Sequence, residues 1–265
     1  MPRSLPCTIS AVLIILSSAC SVSTITGEDP VIKAGISASI RQYSSVNWES
    51  RRNAIITASE YTDSSYRITL TRFFIKAADD SHPLVRIEAL RGLKKMMPPE
   101  AMPKIRHMAQ YDNSPIVRWT AYTVLEDYRD AENEKAFITG CGDEDWLIRE
   151  SAIRGLLKIE DMEVQRRNID LILTMIKDSS ISVRIETLNN LQYRDPVLFS
   201  AISRLINSRK TGKSLLKAAL RAVSGYRFDD LTRKRLVRLL THENKEIRIL
   251  ALRALKKEKD LEEDM

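Results

Sequence analysis

The chain has little of what sheets, loops and disulfide-stapled folds are made from. Its 265 residues hold 8 glycines and 9 prolines, too few for the turn density of a sandwich or barrel. Aromatic residues make up 6%, against the aromatic and β-branched enrichment of strands. Three cysteines, Cys7, Cys20 and Cys141, build no disulfide framework. The three histidines, His82, His107 and His242, lie far apart, and neither H-E-x-x-H nor a paired C-x-x-C occurs, so no metal site is expected. G-x-S-x-G and Walker A patterns are missing too, which leaves no catalytic constellation and calls for no cofactor. Acidic pairs such as Asp79–Asp80 and Asp229–Asp230 sit where helices begin, where capping accounts for them. What remains plentiful is apolar residues at three-to-four spacing in a chain that is 43% hydrophobic and 29% charged, the pattern of an all-α protein.

One stretch is written repeatedly. DSHPLVRIEALRGL at 80–93 returns as DNSPIVRWTAYTVL at 112–125, DEDWLIRESAIRGL at 143–156, DSSISVRIETLNNL at 178–191 and HENKEIRILALRAL at 242–255. The aliphatic position before the arginine serves as an index: Val85, Val117, Ile148, Val183 and Ile247, with weaker copies at Leu215 and Ser50. Successive indices are 31 to 35 residues apart, the period of stacked helical pairs. Three before the index stand Asn47, His82, Ser114, Asp145, Ser180, Gly212 and Asn244, mostly N-cap types. Pro83 and Pro115 follow two of them, at the first helical position, where proline is tolerated. Index plus four is small in every copy (Ala54, Ala89, Ala121, Ala152, Thr187, Ala219, Ala251), and index plus eight is apolar (Ala58, Leu93, Leu125, Leu156, Leu191, Val223, Leu255). Each copy therefore reads as an inner helix. Outer helices are expected at 31–43, 66–78, 100–110, 130–139, 164–177, 196–207 and 230–240.

The Asp, the aliphatic residue five later and the following Arg resemble the HEAT repeat, in the short form also found in phycobilin lyase-like HEAT proteins. The resemblance covers about residues 31–258 and implies a right-handed α-solenoid of about seven helical hairpins. It also implies a hydrogen-bonded ladder between adjacent repeats, with Asp80, Asp112, Asp143 and Asp178 as acceptors and Arg86, Arg118, Arg149, Arg184 and Arg248 as donors. Repeat six has Lys210 and Leu216 in those places and repeat seven has His242 for the Asp, so the ladder should weaken toward the C-terminus.

The first 20 residues stand apart from the array. Arg3 precedes a short apolar run at 9–16, well below the roughly 20 residues that cross a bilayer as a helix. Ser17, Ser18, Ala19 and Cys20 follow, and together they resemble a bacterial lipoprotein signal, with Leu16 one residue further from the cysteine than is usual. The resemblance implies cleavage after Ala19 and lipidation of Cys20, leaving a signal peptide at 1–19, a tether at 20–29, the solenoid at 30–258 and an acidic tail at 259–265. An ordinary signal cleaved at the same place is one alternative, and an N-terminal apolar run that is no signal is the other. With Cys7 lost with the signal and Cys20 carrying lipid, Cys141 is the one free cysteine left, and it reads as an inert loop thiol.

The formal charge of +7 is uneven: residues 201–260 carry 17 Lys/Arg against 6 Asp/Glu. Six and ten residues after the index, positions facing the concave side of a solenoid place Arg91, Lys95, Arg154, Lys158, Arg221, Arg253 and Lys257. This row is either a groove for an acidic protein or peptide or a solvated helix face. The expected protein is a non-catalytic binding or scaffolding module, membrane-anchored by lipid in the bacterial cell envelope, with nucleic acid disfavoured as a partner. A cytoplasmic HEAT-like nucleic-acid binder akin to DNA glycosylases is the alternative, and a phycobilin lyase-like enzyme a third.

Overall fold

The computed structural model describes residues 29–62 and 65–263. The expected signal segment, Cys20 and the expected tether up to residue 28 lie outside them. The described residues form helices joined by short turns, with no strand among them. They pair into seven hairpins: α1 (Pro30–Gln42) with α2 (Trp48–Ala58), α3 (Arg67–Ala77) with α4 (Pro83–Met96), α5 (Met102–Tyr111) with α6 (Pro115–Tyr128), and α7 (Glu134–Gly140) with α8 (Trp146–Lys158). The fifth joins α9 (Met162–Arg167) and α10 (Ile169–Met175) to α11 (Ile181–Asn190). Then come α12 (Pro196–Asn207) with α13 (Lys213–Ala222) and α14 (Asp230–Leu239) with α15 (Lys245–Glu263). Helices α2, α4, α6, α8, α11, α13 and α15 pack in succession as one inner layer, while neighbouring outer helices meet less closely. An α-solenoid with that asymmetry bends around its inner layer.

The repeat positions explain the packing. All seven small residues at index plus four are fully buried, from Ala54 to Ala251, which lets inner helices approach. Index residues Val85, Val117, Ile148, Val183, Leu215 and Ile247 are buried as well, whereas Ser50 in the first, weakest copy is half-buried. Six of the index-minus-three residues, Asn47 to Gly212, stand at the N-caps of their helices, and the seventh, Asn244, accepts from Ile247 N–H at 3.2 Å. Contact between hairpin partners is tight where glycine permits it. A Cβ on Gly155 of α8 would lie 2.2 Å from the ring of Phe137 on α7, a fully buried side chain.

Two boundaries differ from expectation. The outer helix expected at 164–177 is broken at Asn168, whose amide donates to Val164 O at 2.8 Å and to Glu134 Oε1 at 2.6 Å. Such side-chain bonds compete with the helical ladder. The last inner helix does not stop at 258 but runs to Glu263. Glu258 is buried inside the seventh hairpin, accepting from Phe228 N–H at 2.6 Å and from Arg233 at 2.8 Å.

Candidate functional site: the arginine–aspartate edge and the inner-helix face

The turns before four of the seven inner helices, α4, α6, α8 and α11, are each built by one aspartate with two roles. Oδ1 of Asp80, Asp112, Asp143 and Asp178 accepts the backbone N–H two residues on, at 2.9, 2.9, 2.9 and 2.7 Å, an Asx turn that sets the chain for the helix. The same carboxylates receive a forked arginine from the preceding repeat. Arg51 donates to Asp80 at 2.7 and 2.9 Å, Arg86 to Asp112 at 2.8 and 2.7 Å, Arg118 to Asp143 at 2.9 and 3.2 Å and Arg149 to Asp178 at 2.8 and 2.9 Å. These are bidentate pairs of Nε and Nη2 with both carboxylate oxygens. Each arginine turns its third nitrogen, Nη1, back to its own turn, as Arg86 does to Asp80 O at 2.9 Å and Arg149 to Asp143 O at 2.9 Å. One guanidinium thus ties its own corner to the next.

Burial alone would raise the Asp80 carboxyl, but bonds from Arg51, His82 N–H and Tyr43 outweigh it and hold it below the usual carboxylate range. Asp178 is likewise lowered, burial being outweighed by Arg149, Ser180 N–H and Ser179.

Arg51 was not among the expected donors, because the weak copy at Ser50 hides it. Two expected donors reach no carboxylate. Arg184 has Lys210 across from it in the sequence register and donates its Nε to Ile176 O at 3.1 Å instead. Arg248, in the seventh hairpin, keeps the inward bonds, to His242 O at 2.7 Å and Glu243 O at 2.9 Å. His242 does replace the aspartate in one respect: its Nδ1 accepts Asn244 N–H at 3.0 Å.

The inner-helix face is more balanced than its cations suggest. Arg154 lies against Glu126 at 2.8 Å and against Glu150 and Glu186 at 3.3 Å, and Lys158 shares Glu126. These two, expected to meet a partner, are instead tied up between helices. Lys95 donates to Ser59 O at 3.2 Å, closing the C-terminus of α2. Arg91 shares Glu88 with Arg52, and Arg221 shares Glu246 with Lys217, so each of these acids faces two cations. Arg253 and Lys257 are exposed and make no side-chain hydrogen bond or ion pair. The cations at the centre of the face are therefore answered by acids, whereas both ends keep a surplus of cations. Reading only the sixth and tenth positions missed Glu88 and Glu186, three after their indices, and Glu126, nine after.

One apolar hollow went unread. Pro115, Ile116, Trp119, Asp145 and Leu147 line a cavity of about 380 Å³ between the starts of α6 and α8. Ile116 and Leu147 stand just before their index residues, where a sequence reading attends to capping. Trp48 stacks on His82 at 3.9 Å, so the tryptophans do not share one pocket. Cys141 is buried, and burial pushes its thiol up to about 12, far from a nucleophile's range. Among the described residues no group of His, Cys, Asp and Glu is placed to hold a metal ion.

The pattern of HEAT repeats matches this chain over residues 37–126 and 105–192, more than half of its length. The chain belongs to the HEAT-repeat family. No curated protein matches it by sequence. Among solved structures, an engineered protein matches with a TM-score of 0.58 at 18% identity, over 88% of this chain and 71% of that one. Escherichia coli YibA matches with a TM-score of 0.55 at 13% identity, over 86% and 95%. The complex of CpcE and CpcF of phycocyanin lyase from Nostoc sp. PCC7120 matches with a TM-score of 0.50 at 17% identity, over 85% and 94%. At these identities the likeness is one of fold.

Proposed function

We propose that this HEAT-repeat protein is a non-catalytic binding or scaffolding module, lipid-anchored through Cys20 in the bacterial cell envelope, that holds an acidic protein or peptide on its inner-helix face. The observation that carries the partner's chemistry is the charge left after internal pairing. The centre of the face is cancelled by Glu126, Glu150 and Glu186, while α13 and α15 keep Arg221, Arg253 and Lys257 with one shared acid, Glu246. Unanswered positive charge at that end steers and orients an acidic partner. No helix of the described residues is long and apolar enough to cross a membrane, so anchoring rests on the lipobox-like Ser17–Cys20 segment and its acyl chains.

Two experiments test the two halves. Palmitate labelling of wild type and Cys20→Ala in the native host should label only the wild type; equal absence of label, with recovery in the soluble cytosol, would sink the anchor. A pull-down should lose its partner in the triple Arg221→Glu, Arg253→Glu, Lys257→Glu variant and keep it in Arg154→Gln. Equal capture by the triple variant, with helicity intact by circular dichroism, means the row is only a solvated face.

A further inference from the structure

The gap in the arginine–aspartate edge lies between the fifth and sixth hairpins, and its surroundings differ from those of every complete rung. Arg51, Arg86, Arg118 and Arg149 each present Nε and Nη2 to a carboxylate. Arg184 stands at the same repeat position. Its counterpart in the next turn is Lys210, which lies three residues beyond the end of α12, as Asp178 lies three beyond the end of α10. With no acceptor there, Arg184 turns Nε onto Ile176 O, and its two terminal nitrogens make no hydrogen bond to any described residue. Arg184 lines a cavity of about 250 Å³ together with Ile176, Lys177, Ala201, Arg204 and Leu205. The corresponding hollow three repeat steps earlier holds acids: Asp79, Asp80 and Asp112 line the cavity around Arg86. The hollow at Arg184 has cations and no acid.

We propose that this interrupted rung is a carboxylate-binding site, filled by an aspartate or glutamate side chain of a partner polypeptide. The chain itself supplies the template, since it binds a carboxylate at the same repeat position four times with the same forked geometry. A guanidinium fork matches a planar carboxylate in two parallel bonds. Lys177 and Arg204 at the rim add attraction and disfavour an uncharged competitor, and Ile176, Ala201 and Leu205 supply a dry wall that strengthens the pair. The site lies on the turn-bearing edge of the stack, away from the inner-helix face, and does not depend on the reading given for that face.

The test follows the Arg184 Nε–H resonance by nitrogen-15 NMR while acetyl-Asp-Asp-Asp-amide, its Asn analogue and inorganic phosphate are titrated at constant ionic strength. The Asp peptide should shift the resonance saturably, with an affinity at least ten-fold above that of the Asn peptide, and phosphate should be weaker. Lys210→Asp should complete the rung internally, abolish the peptide-induced shift and raise Tm by about 2–4 °C. Arg253→Glu with Lys257→Glu should leave the Arg184 shift unchanged, which separates this site from the inner face. Peptide binding that survives Lys210→Asp overturns the proposal. A larger shift with phosphate than with the Asp peptide overturns the carboxylate assignment.

Discussion

Hairpins one to five and hairpins six and seven share one helical plan but hold their corners differently. In the first group four bidentate rungs join successive turns, and the arginines involved are only 12–14% exposed. Past Arg184 no rung forms among the described residues, and corner contacts fall to pairs on the surface, such as Lys213 with Glu243, and to the pair of buried Glu258 with the more exposed Arg233 inside the seventh hairpin. Exposed pairs contribute about 0–1 kcal/mol each, whereas losing one partner of a well-buried pair costs about 3–5 kcal/mol. The difference teaches that a solenoid with uniform core positions can still be uneven along its length, because nearest-neighbour terms add locally.

The largest effect should come from deleting a rung inside the complete part. Asp112→Ala leaves Arg86 unpaired and frees Ser114 N–H, and urea unfolding should show a loss of about 3 kcal/mol. The matching change Lys210→Ala, at the register position that holds no rung, should cost less than about 0.5 kcal/mol. A packing change that leaves the rungs alone comes next. Gly155→Ala drives a methyl into the Phe137 ring, with an expected cost of about 2 kcal/mol by the same assay.

Acid should then separate the halves. Asp80 and Asp178 have folded pKa values held below the unfolded ones. Their stabilisation is present above the ordinary carboxylate pKa of about 3.9 and disappears as pH falls through the lower folded values. Circular dichroism below about pH 4 should therefore register stability lost from the complete part. The smallest effect belongs to the inner face: Arg253→Gln and Lys257→Gln, at side chains without partners, should change Tm by less than about 1 °C.

Much of the fold was legible because its determinants are local and repeated. Index, cap and alanine positions announce the inner helices, and Asp-x₅-Arg announces the corners. The break at Asn168 was not, since it depends on Glu134 meeting that side chain from the preceding outer helix. The inner face was half legible. Arg91, Arg154 and Arg221 are plain in the register, but the acids that answer them come from neighbouring helices at other offsets, as Glu126 and Glu186 do around Arg154. Arg51 escaped notice because its copy of the motif lacks an aliphatic index. Pairing across repeats is a three-dimensional fact that one repeat's spelling does not contain.

The central claim is that the rungs, not the core, set the difference between the two parts of the array. Amide hydrogen exchange on wild type and Lys210→Asp tests it most directly. The account predicts slow exchange through α2–α11 and faster exchange in α12–α15 of the wild type, with protection spreading into α12 and α13 when the rung is restored. Equal protection along the wild-type array, or no gain in Lys210→Asp, would contradict it.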